Sequence, residues 1–359
     1  MLPADFISCL RCPVTGSPLR LVDAHTGAAG SAGGARAQAA LATEDGSILY
    51  PIHDGILCLL PHAAAPTGNT GEHAPDHGTG TKDRVQAFYD AVGWEKRDDK
   101  FVDAVIYEDL RPVAARYIHD CHLRVARHLA PSGRYLLDAA SGPVQYEEYL
   151  AYSAGYRARV CVDISFRALV EARKKLGDRG LYVLADVSNL PFRDDTFDAV
   201  VSLHTVYHVP KDEQERAFRE LFRVLAPSRR GVIVYSWGIH ALLTKVAVLP
   251  VWGWRMVARR IRRRLGAASD HAAEAMPRLY SYHHSYRWLA TRVWPLVYEL
   301  DCWRSVGVEF TRLYCHSWLF GKGLLRLLFR LEDRWPRLFG IIGQYPMIVL
   351  AKPPASAEA

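Results

Sequence analysis

Three short apolar runs in this chain each end in an aspartate: YLLD at Asp138, RVCVD at Asp163 and LYVLAD at Asp186. The acids stand 25 and 23 residues apart, a length that one right-handed strand–helix–strand unit consumes. Short apolar runs without alternation are the sequence mark of central parallel strands covered on both faces. The spacing therefore predicts an open parallel sheet with three carboxylates side by side at its carboxyl edge, where ligands of such sheets bind.

The pattern continues from Arg134 to Trp237. Ser165 stands where it can cap the helix FRALVEARKKL, and Gly177 where it can stop it. A fourth strand, FDAVVSLHTVYHVP, a helix, DEQERAFRELFRVLA, and a fifth strand, GVIVYSW, follow. After the first strand, small residues from Ala139 to Pro143 let the backbone turn sharply toward a helix and let a ligand approach. A dinucleotide would need G-x-G-x-x-G at this turn and a phosphate loop would need GK[ST]; neither is present. Asp138 at the turn suits a cationic ligand instead.

The set LDAASGP, VDIS, ADVSNLPF, FDAVVSLHTVYHV and ELFRVLAP, in this order, resembles the class I S-adenosylmethionine-dependent methyltransferases, in the broad group that includes quinone C-methyltransferases. The resemblance covers about 100 of 359 residues. It implies an α/β fold with a doubly wound, Rossmann-like, seven-stranded sheet and a helical insertion after the fifth strand. It also implies S-adenosylmethionine as cofactor: Asp138, Ala140, Ser141 and Gly142 at its methionine end, Asp163 and Ile164 at the ribose, Asp186 and Val187 at the adenine, and Ser202 and Leu203 under the methyl group. Two departures stand out. Ala140 and Val144 occupy positions where the family pattern has glycine, so Ala140 is expected at negative φ and the helix after Val144 is expected to start differently.

Methyl transfer asks the protein to orient an acceptor and remove its proton. His204 and His208, four apart after the fourth strand, are the candidate general bases, with a backbone-bonded structural role as the alternative. Tyr89, Tyr107, Tyr207, His283, His284 and His316 are candidate acceptor contacts.

Around this core the composition shifts several times. Residues 1–61 form a β-rich module in which CLRCPVTGSPL and YPIHDGI resemble a zinc-ribbon-like domain that occurs beside or fused to methyltransferases. Its second metal knuckle is missing, so no metal is assigned to Cys9 and Cys12, and His25, His53 and Cys58 complete no ordinary site. Residues 62–82 read as a linker, including His62, His73 and His77; 83–130 as a helical lid; and 131–237 as the cofactor-binding core. Residues 238–300 are a basic, aromatic insertion expected to shape the acceptor pocket or touch a membrane. Residues 301–353 are the closing part, with VEFTRLYCHSW and QYPMIVLAKP as antiparallel strands and a helical insert, LFGKGLLRLLFRLEDRW from Leu319 to Trp335, that repeats the apolar and basic pattern; 354–359 are a disordered tail.

The net charge of +7 is concentrated, with six arginines between Arg255 and Arg264. That cluster, with Trp252 and Trp254, points to an anionic membrane surface contacted by an interfacial helix pair. Lys245 and Pro250 oppose a membrane span, since a central lysine costs ~2.5 to 3.5 kcal/mol on insertion. Bunched arginines without interleaved stacking aromatics rank nucleic acid behind lipid. Seven sparse cysteines and an N-terminus lacking a basic-then-apolar run fit a cytoplasmic protein, peripheral at the inner membrane face. Three functions remain open: methylation of a hydrophobic or lipid-linked small acceptor, O-methylation of a soluble sugar or secondary metabolite, and a non-catalytic cofactor-binding module.

Overall fold

A computed structural model of the chain describes residues 2–23, 39–66, 80–97, 100–264, 279–292 and 296–354. Strands β1 (Leu19–Asp23), β2 (Ala39–Thr43), β3 (Ile48–His53) and β4 (Ile56–Cys58) come from the N-terminal module. The core supplies β5 (Gly133–Ala139), β6 (Tyr156–Asp163), β7 (Gly180–Leu184), β8 (Phe197–Leu203), β9 (Leu225–Val234), β10 (Tyr298–Arg304) and β11 (Tyr345–Ala351).

The core strands run in the order β7-β6-β5-β8-β9-β11-β10, with β11 antiparallel to both its neighbours. Chain order reverses at β5, between β6 and β8, which places the switch point of the sheet at the turn after Asp138. The expected seven strands are therefore not the whole sheet. β4 pairs in parallel with β7, Ile56 opposite Tyr182 and Cys58 opposite Leu184, so the N-terminal strands continue the same sheet. The physical reason is that β7 is buried along its length and would otherwise be an unpaired edge.

Nothing in the N-terminal module gathers three His, Cys, Asp or Glu side chains for a metal among the described residues. The Cys12 thiol lies 3.2 Å from the Tyr50 hydroxyl, and the Cys9 thiol donates to the Asp5 carbonyl at 3.2 Å. His25, His73 and His77 lie outside the described residues.

The helices that matter for the site are α1 (Thr81–Phe88), α2 (Val102–Tyr107), α3 (Ala115–Arg124), α4 (Phe166–Leu176), α5 (Gln214–Arg223), α6 (Leu242–Arg264), α7 (Val308–Tyr314), α8 (Gly321–Arg334) and α9 (Pro336–Ile342). As its sequence predicts, α4 starts on a Ser165 cap, whose hydroxyl accepts from the Ala168 N–H at 3.1 Å, and ends at Gly177 with φ 55°.

Three local expectations are corrected. The segment after the first strand does not enter an α-helix: Pro143 and Val144 break the path, and only a 3-10 helix forms over Glu147–Ser153. VEFTRLY is helix α7, not a strand; the closing pair is β10 with β11, because Thr311 and Cys315 bury one helical face while the β10 residues Cys302 to Arg304 are buried in succession. The apolar and basic run from Leu242 to Arg264 forms one continuous 23-residue helix, α6, in place of a helix pair. The side chains of Trp252, Trp254, Arg255, Arg259 and Arg262 to Arg264 lie outside the described residues, as do residues 355–359; Arg260 is exposed.

Candidate active site

The carboxyl edge of the sheet opens into a cavity of about 340 Å³ at the switch point. Asp138, Asp163 and Asp186 all line it, as the spacing predicts. Their partners are what the sequence did not reveal. Arg159, from the middle of β6 and 1% exposed, donates from Nε (2.9 Å) and Nη2 (2.5 Å) to Asp138 Oδ2, and from Nη1 to the Tyr149 carbonyl at 2.6 Å. Oδ1 of Asp138 makes no hydrogen bond among the described residues. Asp163 accepts from the Gly142 N–H (2.9 Å) and the Ser165 N–H (2.8 Å). Burial nevertheless pushes its carboxyl up to about 6, the two N–H groups pulling the other way. Asp186 accepts from the Ser188 N–H and hydroxyl and from Lys82 Nζ at 2.5 Å; Lys82 also bonds Glu213. Lys82, placed in the linker by composition, thus sits in the first turn of α1 and reaches the site.

Small residues meet real constraints in the turn. Gly142 has φ 55°, and a Cβ there would lie 2.9 Å from the Trp94 ring, which itself stacks on Tyr89 at 4.9 Å. Ala140 and Val144 also take positive φ, 55° and 51°, so the expectation of negative φ at Ala140 is overturned. The turn keeps the left-handed backbone that glycine serves, and two side chains bear the strain.

On the far side of the cavity stand groups absent from the candidate set. Glu108 follows α2, Arg304 ends β10 and Tyr345 begins β11; all three line the cavity. The Glu108 carboxylate lies 3.2 Å from His122 Nε2 and 3.4 Å from Arg304 Nη1, and its Oε2 is buried without a partner. Burial alone would raise its pKa, but His122 and Arg304 hold it below the usual range. The Arg304 guanidinium lies over the Trp303 and Tyr345 rings, 4.8 and 5.0 Å from their centroids. Asp103, on α2, has one long hydrogen bond, from Gln145 at 3.5 Å. Its burial pushes the carboxyl up to about 7.

The candidate bases are inside the cavity but poorly disposed to take a proton. His204, at φ 60° just after β8, packs against Trp303 (4.4 Å) and Tyr345 (5.1 Å), and burial pushes it down to about 3. His208 Nδ1 lies 2.7 Å from the Tyr280 carbonyl, and burial pushes it down to about 4. Ala140, Ser141, Ile164, Val187 and Leu203 line the cavity, whereas Ser202 is buried within β8. Of the acceptor candidates, Tyr89, Tyr107, Tyr207 and His283 line it. His284 and His316 do not: His284 stacks on Trp288 at 3.9 Å, and His316 Nε2 sits 3.0 Å from the Leu313 carbonyl in the α7–α8 connection.

A family model described as a methyltransferase domain matches residues 137–233, the stretch from the first strand through β9 that carries the three acids. This stretch is thus similar to methyltransferase domains. The ubiquinone/menaquinone biosynthesis C-methyltransferase of Idiomarina loihiensis is 33% identical over 121 residues, covering 32% of this chain and 47% of that protein. The demethylmenaquinone methyltransferase of Clavibacter sepedonicus is 38% identical over 110 residues, covering 30% and 43%. The chain thus spans less than half the length of these relatives. Phosphoethanolamine N-methyltransferase 2 of Haemonchus contortus, solved with S-adenosylmethionine, aligns over 81% of this chain and 62% of its own, with 15% identity and a TM-score of 0.41.

The residues present fit the cofactor such domains use. Gln145 Oε1 and Trp94 Nε1, beside the turn, are buried polar atoms without a partner, and Asp138 keeps Oδ1 open. Asp138 would meet the amino acid end, Asp163 the ribose and Asp186 the adenine. When bound, the cofactor supplies a methyl group on a cationic sulfonium.

Proposed function

We propose that this chain methylates a small hydrophobic acceptor held between the domain's acid edge and the aromatic wall of the same cavity. The observation that carries the reading is that one cavity joins both: Asp138 and Asp163 on one side, Tyr107, Tyr207, Tyr345 and Arg304 on the other. The aromatic rings exclude water from an apolar acceptor and Arg304 orients its polar end. Asp103 takes the acceptor's proton. With its carboxyl near 7 it is half ionised at neutral pH, which matches a general base to its task better than either buried histidine. The catalytic role assigned to His204 and His208 from sequence thereby becomes one of shaping the cavity as neutral imidazoles. Arg304 also favours, as a second reading, a soluble acceptor with an anionic oxygen.

Titration calorimetry with S-adenosylmethionine tests the first half: heat from the native chain, and loss of it in Asp163→Ala. Absence of heat from the native chain would leave only a non-catalytic module. Comparison of metabolites in cells with and without the protein, for a mass difference of one methylene, then identifies the acceptor and distinguishes the two readings.

A further inference from the structure

The described residues include exposed apolar side chains that no other described residue covers. On α6, Leu242, Val246 and Leu249 near the start and Met256, Val257 and Ile261 further on are each at least half exposed. The two groups lie along a helix about 35 Å long. The described residues tie α6 down mainly near its start, where Thr244 bonds Gln344 at 2.5 Å and the Tyr314 hydroxyl of α7 donates to the Ala247 carbonyl at 2.6 Å. Four residues beyond Tyr314 the chain presents Trp318 and Phe320, 77% and 87% exposed, at a tip where Phe320 has φ 53°.

From that tip α8 departs with its exposed surface divided. Leu324 and Leu327 prolong the apolar line from Phe320, while Lys322, Arg326 and Arg330, each four residues from the next, form a basic line beside it. None of these three cations has an ion-pair partner among the described residues. Leu325 and Glu332 fix the opposite face in the core. Lys245 and Arg260 add exposed basic groups along α6.

We propose that this face, formed by α6, the Trp318–Phe320 tip and the outer side of α8, docks on the surface of an anionic lipid bilayer. Charge decides the occupant. An apolar line flanked by unpaired cations matches the acyl boundary and the phosphate level of such a surface. A second copy of this chain would bring Lys322, Arg326 and Arg330 against like charges. No described helix is long and apolar enough to span, so the contact is interfacial. The face also adjoins the cavity, because Gln344, which Thr244 of α6 bonds, lines it. An acceptor dissolved in the bilayer thus meets the cavity next to the docked surface. The proposal stands independently of methyl transfer.

Co-sedimentation of the full chain with vesicles tests it. Wild type is expected to bind phosphatidylglycerol-containing vesicles and not pure phosphatidylcholine, with binding weakened as salt rises from about 0.1 M to 1 M. Lys322→Glu/Arg326→Glu/Arg330→Glu is expected to lower the partition coefficient on the order of a hundredfold, from about 1 kcal/mol per basic residue. Trp318→Asp/Phe320→Asp, at exposed positions, tests the apolar half and is expected to abolish binding with an unchanged melting curve. Indifference of the wild type to both vesicles, or wild-type binding by both variants, would overturn the proposal. So would a wild-type dimer in sedimentation equilibrium that both variants dissociate, since the second copy would then be the occupant.

Discussion

Replacing Arg159 with methionine isolates the least expected interaction of the site. Methionine keeps most of the apolar stem and removes the guanidinium. Two hydrogen bonds to Asp138 Oδ2 and one to the Tyr149 carbonyl are lost, and the Asp138 carboxylate stays 3% exposed with no cation beside it. Breaking one side of a buried pair costs about 3 to 5 kcal/mol, and the orphaned carbonyl adds about 1 kcal/mol. Arg159→Met should therefore lose about 4 to 6 kcal/mol in urea denaturation, a large part of the stability of an ordinary domain. Asp138→Asn/Arg159→Met removes the stranded charge as well and should recover about 2 kcal/mol or more of that loss. A single variant that loses less than about 1 kcal/mol, or a double variant no more stable than the single, would refute the view that Arg159 is there to compensate Asp138.

Other expectations follow from the same geometry. Asp103 has its carboxyl raised by burial from 3.8 to about 7, so the folded chain binds a proton there more tightly than the unfolded chain. Its contribution to stability is therefore lost as pH rises from 3.8 to about 7, by about 1.4 kcal/mol per pH unit, and Asp103→Asn should be more stabilising at pH 8 than at pH 4.5 by thermal melting. Once an acceptor is known, the rate should rise with pH through about 7, and His204→Asn or His208→Asn should leave that inflection in place; a shift with either histidine would return the base role to it. Ala140→Gly relieves a side chain at φ 55° and should stabilise the chain by about 0.5 to 1 kcal/mol in denaturant, whereas a loss would mean that the turn tolerates Ala140 without strain.

The strand-ending acids were legible because a parallel sheet imposes a period long enough to be seen through any loop. Asp138, Asp163 and Asp186 line one cavity for that reason. The partners of two of them were not. Arg159 is a charge within an otherwise apolar strand, a visible oddity whose meaning depends on β5 lying beside β6. Lys82 follows a Gly- and Thr-rich stretch, and its role depends on where α1 lands. Asp103, Glu108 and Arg304 come from segments before and after the core and converge only in space. VEFTRLY reads as a strand in the sequence, whereas Thr311 and Cys315, four apart, are buried on one face of a helix.

By itself the sequence determined the doubly wound core, its five successive strands and the edge at which three acids gather, since these follow from local apolar patterning and from the handedness of the strand–helix–strand connection. Tertiary structure decided the order of the strands in the sheet, what the acids are paired with, that burial raises the carboxyls of Asp103 and Asp163, and that the N-terminal strands extend the core sheet through β4 and β7. Ion pairing and desolvation depend on what lies within a few ångströms in space, and residues from Lys82 to Tyr345 meet around this cavity.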